Sequence, residues 1–305
     1  MPPRAGTIAL DRLADLVGAE TNGNFSIKVV YGGVLANEEI IDGLKINAFE
    51  AGWVVPAFSP GKQPTQQFLA MPFMPMGDLA TATKISHKFQ QHPAVKRDFD
   101  GWSIRYILTT PIPGYEFIGR GKAPETLADW KGKRVRAIGG FGSAMSKIGA
   151  VPTSVVPTEL YGAMERGLVD AAALPYYAFE TYKLCDISHW YTKGMALGSV
   201  MSNVSANAGA FEQLPPQYRA LIDRVAITAM DDQVAGLQKD EDKAEEICKA
   251  RGVKTVAFSA KMRDELAQVG GRPVWDEWVK EVTAKGYPGK ELLDYLLDEA
   301  RKAGA

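Results

Sequence analysis

The chain is short of the features that mark membrane proteins, metalloproteins and the commoner enzymes. No run of about 18 apolar residues occurs, so no segment reads as a membrane-spanning helix. Its two cysteines, Cys185 and Cys248, are too few for a disulfide framework or a cysteine-rich zinc site, and spacing alone cannot pair them. The only histidines are His87, His92 and His189, and the first two are not spaced to share a helix face. Charge of one sign is also missing. Lysine and arginine number 35 against 36 acidic residues, a net charge of -1, which speaks against nucleic acid or an anionic membrane as the main partner. H-E-x-x-H, G-x-S-x-G, C-x-x-C and the Walker loop are all absent.

What remains is an ordinary globular composition, 46% hydrophobic and 23% charged, in 305 residues, enough for one large or two mid-sized domains. Ile8, Ala9, Leu13, Leu16 and Val17 form a helical stripe that ends at Thr21-Asn22-Gly23-Asn24. Phe25, Ile27, Val29 and Tyr31 alternate as in a strand, and Gly32-Gly33 turns the chain. A second helix runs from near Asn37 to near Asn47, before the apolar run Ala51 to Phe58. This α-β-α-β order predicts a mostly parallel sheet with helices packed on it. The stretch Glu39 to Asn47 followed by Ala48-Phe49-Glu50-Ala51 resembles Glu159 to Gly167 followed by Leu168-Val169-Asp170-Ala171. Duplication and chance both stand as explanations. Duplication implies two similar lobes with a ligand between them, at the carboxyl ends of the strands. From Pro216 a helical pattern runs through Tyr218, Leu221, Val225, Leu237 and Cys248 to a stop at Gly252. At about 1.5 Å per residue it spans roughly 50 Å, so it touches both lobes or protrudes. Met262 to Ala303 reads as two or three helices, with Trp275 and Trp278 as packing residues.

One segment carries chemistry. Val135, Ala137 and Ile138 read as a short strand leading into Gly139-Gly140-Phe141-Gly142-Ser143 and a helix. The loop distantly resembles a dinucleotide-binding turn, but the third glycine would fall at Met145. A helix N-terminus behind a strand favours an anion, and Arg136 beside it offers a planar donor pair for a carboxylate. Arg134 and Arg136 also read as two surface charges of the basic turn Lys131-Gly132-Lys133-Arg134; alternation puts both on one strand face and does not separate the two readings.

Longer stretches resemble a known family. Leu127-Ala128-Asp129-Trp130-Lys131-Gly132-Lys133-Arg134-Val135-Arg136 is similar to the "DLKGLKIR" signature of TRAP-transporter substrate-binding proteins of the dicarboxylate-receptor type. Gly149-Ala150-Val151-Pro152 matches their "GA-x-P", and Thr158 to Asp170 their "ELYTALQxGVVDG". Asn207, Phe211, Leu214 and Pro215 resemble "N-x-x-x-W-x-x-LP", and Leu69-Ala70-Met71-Pro72-Phe73 the first-lobe "LPF". The matches keep their order from about residue 8 to residue 255.

The resemblance implies an α/β, two-lobed clamshell of the type II periplasmic-binding kind, with the long helix spanning both lobes. Residues 1–113 with about 203–250 would form the first lobe, and 114–202 with about 251–305 the second. It further implies a monomeric periplasmic receptor, not an enzyme and without cofactor or metal. Such a receptor captures a small organic acid and hands it to the TRAP permease subunits. Arg136 matches the family arginine that binds the ligand carboxylate. Where members that bind sialic acid carry an asparagine, an acid and a further arginine, this chain has Leu174, Val55 and, in a looser alignment, Glu116. The pocket is therefore expected to suit an aromatic or branched monocarboxylate, ahead of a C4-dicarboxylate or 2-oxo acid. Trp53, Phe58, Phe73, Phe141, Leu174, Tyr176, Tyr177 and Asn207 are the remaining candidate ligand residues. Two alternatives are an α/β enzyme holding a phosphorylated cofactor on the Gly139–Gly142 loop, and a receptor serving a sensor kinase. Relatives open with a signal peptide and a strand, so the start at Met1-Pro2-Pro3-Arg4 is expected to lie downstream of the true one.

Overall fold

The computed structural model describes residues 5–32, 35–59 and 61–305; Met1–Arg4 and Gly33 of the expected turn lie outside them. Helix α1 (Ile8–Glu20) forms on the apolar stripe and buries Ala9, Leu13 and Val17. The segment Phe25–Tyr31 is not a strand and has no regular secondary structure. Phe25 stacks on Tyr218 with ring centroids 4.7 Å apart, and Ile27 packs on the same cluster. Here the alternation records one-sided burial rather than strand pairing.

The chain continues through α2 (Ile40–Lys45), β1 (Ala51–Val54), α3 (Leu79–Phe89), α4 (Pro93–Gly101) and β2 (Ile104–Ile112). It then crosses into a second lobe: β3 (Glu116–Gly119), β4 (Arg134–Arg136), α5 (Gly139–Lys147), β5 (Val151–Thr153), α6 (Leu160–Glu165), β6 (Ala171–Leu174), α7 (Tyr176–Thr181) and β7 (Trp190–Lys193). It returns through β8 (Val200–Asn207), α8 (Ala208–Glu212) and the long α9 (Pro216–Ala250). Strand β9 (Lys254–Ala257) and helices α10 (Ala260–Gly270), α11 (Arg272–Ala284) and α12 (Gly289–Lys302) complete it.

The first-lobe sheet, in the order β1-β8-β2, is antiparallel throughout, which corrects the expected parallel one. The cause is topological. β2 runs toward the crossing and β8 arrives from it, so their pairing must be antiparallel. The second sheet has the order β5-β4-β6-β3-β7-β9. In it β4 pairs in parallel with β5 and β6, as does β7 with β9, while β3 is antiparallel to both neighbours.

The sequence echo is a structural repeat. A short 3-10 turn, a six-residue helix and a four-residue strand begin at 37, 40 and 51, and again at 157, 160 and 171, a constant step of 120. Asn47 and Gly167, at equivalent positions, both turn the chain with positive φ. After β1 the chain enters Val55-Pro56-Ala57; after β6 it enters Pro175-Tyr176-Tyr177.

Helix α9 ties the lobes together. Its Gln233 is buried, accepts from the Ala9 N–H at 2.9 Å and donates to the Pro111 carbonyl at 3.1 Å in the first lobe. Further along, the Glu241 carboxylate accepts the N–H groups of Tyr176 and Tyr177 in the second. Near its end Cys248 is joined to Cys185, a disulfide between residues 63 apart with Cα atoms 5.1 Å from each other.

The expected assignment of 251–305 to the second lobe needs correction. β9 extends the six-stranded sheet and α10 lies on α5. However, Trp278, Val282, Leu292 and Leu296 of α11 and α12 are buried with Ile41, Leu44, Ile85 and Phe89 of the first lobe. The reason is layering: α1 and α9 cover one face of the three-stranded sheet, and the other needs apolar cover of its own.

Candidate functional site

Arg136 ends β4 and is 1% exposed. Its Nε donates to the Val155 carbonyl at 3.1 Å and its Nη1 to the Ala173 carbonyl at 3.0 Å. The Tyr115 side chain lies beside it. Among the described residues no carboxylate stands within salt-bridge distance of it. Loss of water pulls its pKa down, and Tyr115 pulls the other way. Arg134, two residues earlier, is the opposite case. It is exposed and grips Asp170 through Nε at 3.0 Å and Nη2 at 2.6 Å. Partners thus separate the two arginines that alternation could not. The basic-turn reading fits Arg134, whereas Arg136 is a buried cation still lacking an anion, a costly state unless a ligand supplies one.

Five expected wall residues come together with Tyr115. Trp53, Phe58, Phe73, Phe141 and Tyr177 belong to one apolar cluster drawn from both lobes, with Val55 and Tyr115 among its buried members. Trp53 spends its indole N–H on Thr110 Oγ1 at 2.8 Å and Ser202 Oγ at 3.0 Å, which leaves its ring for packing. Phe73 has φ +57, donates its N–H to the Leu197 carbonyl at 2.7 Å, and has the Arg263 guanidinium 5.6 Å from its ring. A bulky residue in the left-handed region is uncommon and tends to sit where the surrounding structure forces it.

Three expected ligand residues lie outside that cluster. Leu174 faces the second-lobe core with Leu160 and Phe179. Tyr176 packs edge-on against Phe179 and Tyr191, and its hydroxyl donates to the Thr192 carbonyl at 3.1 Å. Asn207 caps α8: its Oδ1 accepts from the Ala210 N–H and its Nδ2 donates to the Leu44 carbonyl, both at 2.8 Å. It lies at the end of β8 away from the crossing, where its amide holds the start of α8. Tyr115 was not singled out in the sequence. An aromatic residue in the Pro113-Gly114-Tyr115 break between two strands was its only signal.

The glycine loop touches the other lobe rather than cradling a phosphate. A Cβ on Gly140 would stand 2.9 Å from both the Ala70 carbonyl oxygen and Pro72 Cδ. The space a phosphorylated cofactor needs is filled by the first lobe, so that alternative loses its cradle. Gly140→Val should hold the lobes apart, because backbone at 2.9 Å cannot move aside. The expected outcome is at least a tenfold loss of ligand affinity, about 1.4 kcal/mol, with little change in the melting temperature of the ligand-free protein. Titration by tryptophan fluorescence beside a thermal melt checks both.

Two carboxylates, one buried and one half-buried, serve the frame. The Glu116 carboxylate accepts from Thr192 Oγ1 at 2.6 Å and from the N–H groups of Gly194 (3.0 Å), Met195 (3.3 Å) and Ala196 (2.8 Å), which fixes the return crossing. Burial raises its pKa against the pull of those donors. Burial likewise lifts Glu241 from 4.5 to about 7 while the Tyr177 and Tyr176 N–H groups oppose the shift. Its carboxylate satisfies orphan donors at the start of α7, the helix that carries Tyr177.

A two-lobed α/β frame closing on an uncompensated arginine defines a ligand-binding clamshell. A sequence profile of the bacterial extracellular solute-binding proteins, family 7, matches residues 5–281. The chain belongs to that family, whose members are extracytoplasmic solute receptors rather than enzymes. Among curated proteins it is 23% identical over 292 residues to the ectoine-binding periplasmic protein TeaA of Halomonas elongata, covering 90% of this chain and 81% of that one. Among solved structures it superimposes on a TRAP solute-binding protein of Rhodoferax ferrireducens in complex with copurified benzoate. The TM-score is 0.88 at 20% identity, covering 100% of this chain and 97% of that one. A Bordetella bronchiseptica TRAP solute-binding protein with bound (R)- and (S)-mandelate gives a TM-score of 0.87 at 17% identity, covering 99% and 97%. Among the described residues no helix is long and apolar enough to cross a membrane.

Proposed function

We propose that the protein is the receptor of a TRAP transporter for an aromatic or branched monocarboxylate, which it delivers to the membrane permease. The observation that carries this reading is Arg136, 1% exposed and without a carboxylate partner among the described residues. A ligand carboxylate would supply the missing charge in a bidentate pair. The aromatic rings of Trp53, Phe58, Phe73 and Phe141 suit an apolar body behind that carboxylate. Val55 and Glu116 stand where the family resemblance places polar ligand contacts. The first is buried and apolar, and the second is occupied by the crossing loop. Benzoate and mandelate, held by the structural relatives, are acids of this kind. The Cys185–Cys248 disulfide suits an extracytoplasmic compartment.

A thermal-shift panel of benzoate, mandelate, malonate and ectoine tests the reading, together with mass spectrometry of ligand released from purified protein. Benzoate or mandelate at a hundredfold excess over Kd should stabilise the fold by about 2.7 kcal/mol. A shift with malonate or ectoine alone would overturn the ligand class.

A further inference from the structure

We propose that Glu241 of the long helix α9 is a positioning residue for the ligand cleft: its carboxylate grips the first turn of α7 so that Tyr177 is set against the first lobe at Gly6. The inference rests on the carboxylate-receptor reading above and goes beyond it in naming what places one of the wall residues.

Glu241 lies in the charged run Lys239-Asp240-Glu241-Asp242-Lys243, a composition that suits a solvated helix face. Its carboxylate turns inward instead. Oε2 accepts from the Tyr176 N–H at 3.2 Å and Oε1 from the Tyr177 N–H at 2.7 Å. An ionised carboxylate only accepts, and its bonds to backbone N–H groups are charge-assisted and strong. Two oxygens on two successive N–H groups fix the orientation of the whole dipeptide. Successive residues of a helix point about 100° apart, so that orientation decides which ring goes where. Tyr176 enters the second-lobe core, edge-on to Phe179 and Tyr191. Tyr177 borders both that core and the wall cluster of Trp53, Phe58, Phe73 and Phe141.

The far end of Tyr177 meets the first lobe. A Cβ on Gly6 would stand 3.0 Å from the Tyr177 hydroxyl oxygen, so the side chain reaches the backbone of the turn Ala5–Thr7 ahead of α1. That backbone is held by α9 as well. Gln233 Nε2 donates to the Gly6 carbonyl at 3.4 Å while its Oε1 accepts from the Ala9 N–H at 2.9 Å. Gln233 and Glu241 lie on one unbroken helix, roughly 12 Å apart along its axis. One helix therefore holds both sides of the Gly6–Tyr177 contact, the first-lobe side through Gln233 and the second-lobe side through Glu241. The plainer reading is that Glu241 caps α7 and does nothing for the ligand, since the first N–H groups of any helix need acceptors.

Glu241→Gln separates the two readings, because the amide keeps the length but leaves one acceptor where two N–H groups converge. With benzoate as probe, above the Glu241 pKa of about 7, the variant should bind about tenfold more weakly, the effect of one hydrogen bond to a charged group. In a Tyr177→Leu background the same change should cost less than about twofold, since the ring it places is gone. An unchanged affinity, whatever the melting temperature, would leave Glu241 a helix cap and overturn the proposal. Equal losses in both backgrounds would overturn it as well. A second measurement needs no ligand. In protein labelled at tyrosine and glycine, the Tyr177 ring signal, assigned by its loss in Tyr177→Leu, should show a nuclear Overhauser contact to the Gly6 methylene. Glu241→Gln should abolish that contact; its absence from the parent or its persistence in the variant would overturn the proposal. If benzoate fails to bind the parent protein, the monocarboxylate reading falls, and the Overhauser contact still decides the role of Glu241.

Discussion

Arg136→Ala is expected to lower the affinity for the bound acid about a hundred- to a thousandfold while leaving the ligand-free protein as stable as before. The two halves of that result come from the same burial. With ligand present, the substitution strands a carboxylate in a dry cleft, and truncating one partner of a buried charge pair costs about 2–5 kcal/mol. Without ligand, Arg136 is a buried cation that meets only two carbonyls and Tyr115, so its removal relieves a desolvation cost and leaves two acceptors unpaired. These effects roughly cancel. Calorimetric titration with the tightest acid of the panel, beside a melt of each apo protein, reads both. Parental affinity in the variant would remove Arg136 from the site, and a collapse of apo stability would make it a structural residue.

The second large effect concerns the disulfide. Cys185 and Cys248 close a loop of 63 residues. In the chain-entropy account such a loop stabilises by about 4 kcal/mol. At roughly 2 °C per kcal/mol for a chain of this size, replacing both cysteines by serine should lower the melting temperature by about 8 °C. A thiol reductant should shift the parent protein by the same amount and the double variant not at all. An unchanged melt on reduction would show that the bond contributes nothing to the folded state.

Much of this architecture was legible in the sequence where periodicity and local chemistry agree. The stripe of α1, the long α9 behind Pro215-Pro216 and the 37–54 and 157–174 repeat are of that kind, since each is decided by residues close together in the chain. The arginines were half legible: the motif pointed to Arg136, but only the fold shows that Arg134 is the one paired with Asp170. What misled did so for physical reasons. The alternation of Phe25–Tyr31 is the same whether one face lies on a helix or on a neighbouring strand. Asn207 has the residue type of a ligand group and the job of a helix cap, and those two look alike without the fold. Tyr176 and Leu174 sit one and three residues from Tyr177, yet α7 and β6 turn them toward the second-lobe core. The disulfide and the return of α11 and α12 to the first lobe depend on distant contacts that no window of sequence contains.

The burial of Arg136 also bears on how an acid paired with it would leave. Two unit charges 4 Å apart attract by about 4 kcal/mol at the effective dielectric of a protein surface and by about 1 kcal/mol in bulk water. Parting the lobes at Gly140 and Pro72 would admit water to the guanidinium, so opening alone would loosen the grip without any competing ligand. Unloading is then a matter of hydration: whatever pries the lobes apart needs no contact with the acid itself.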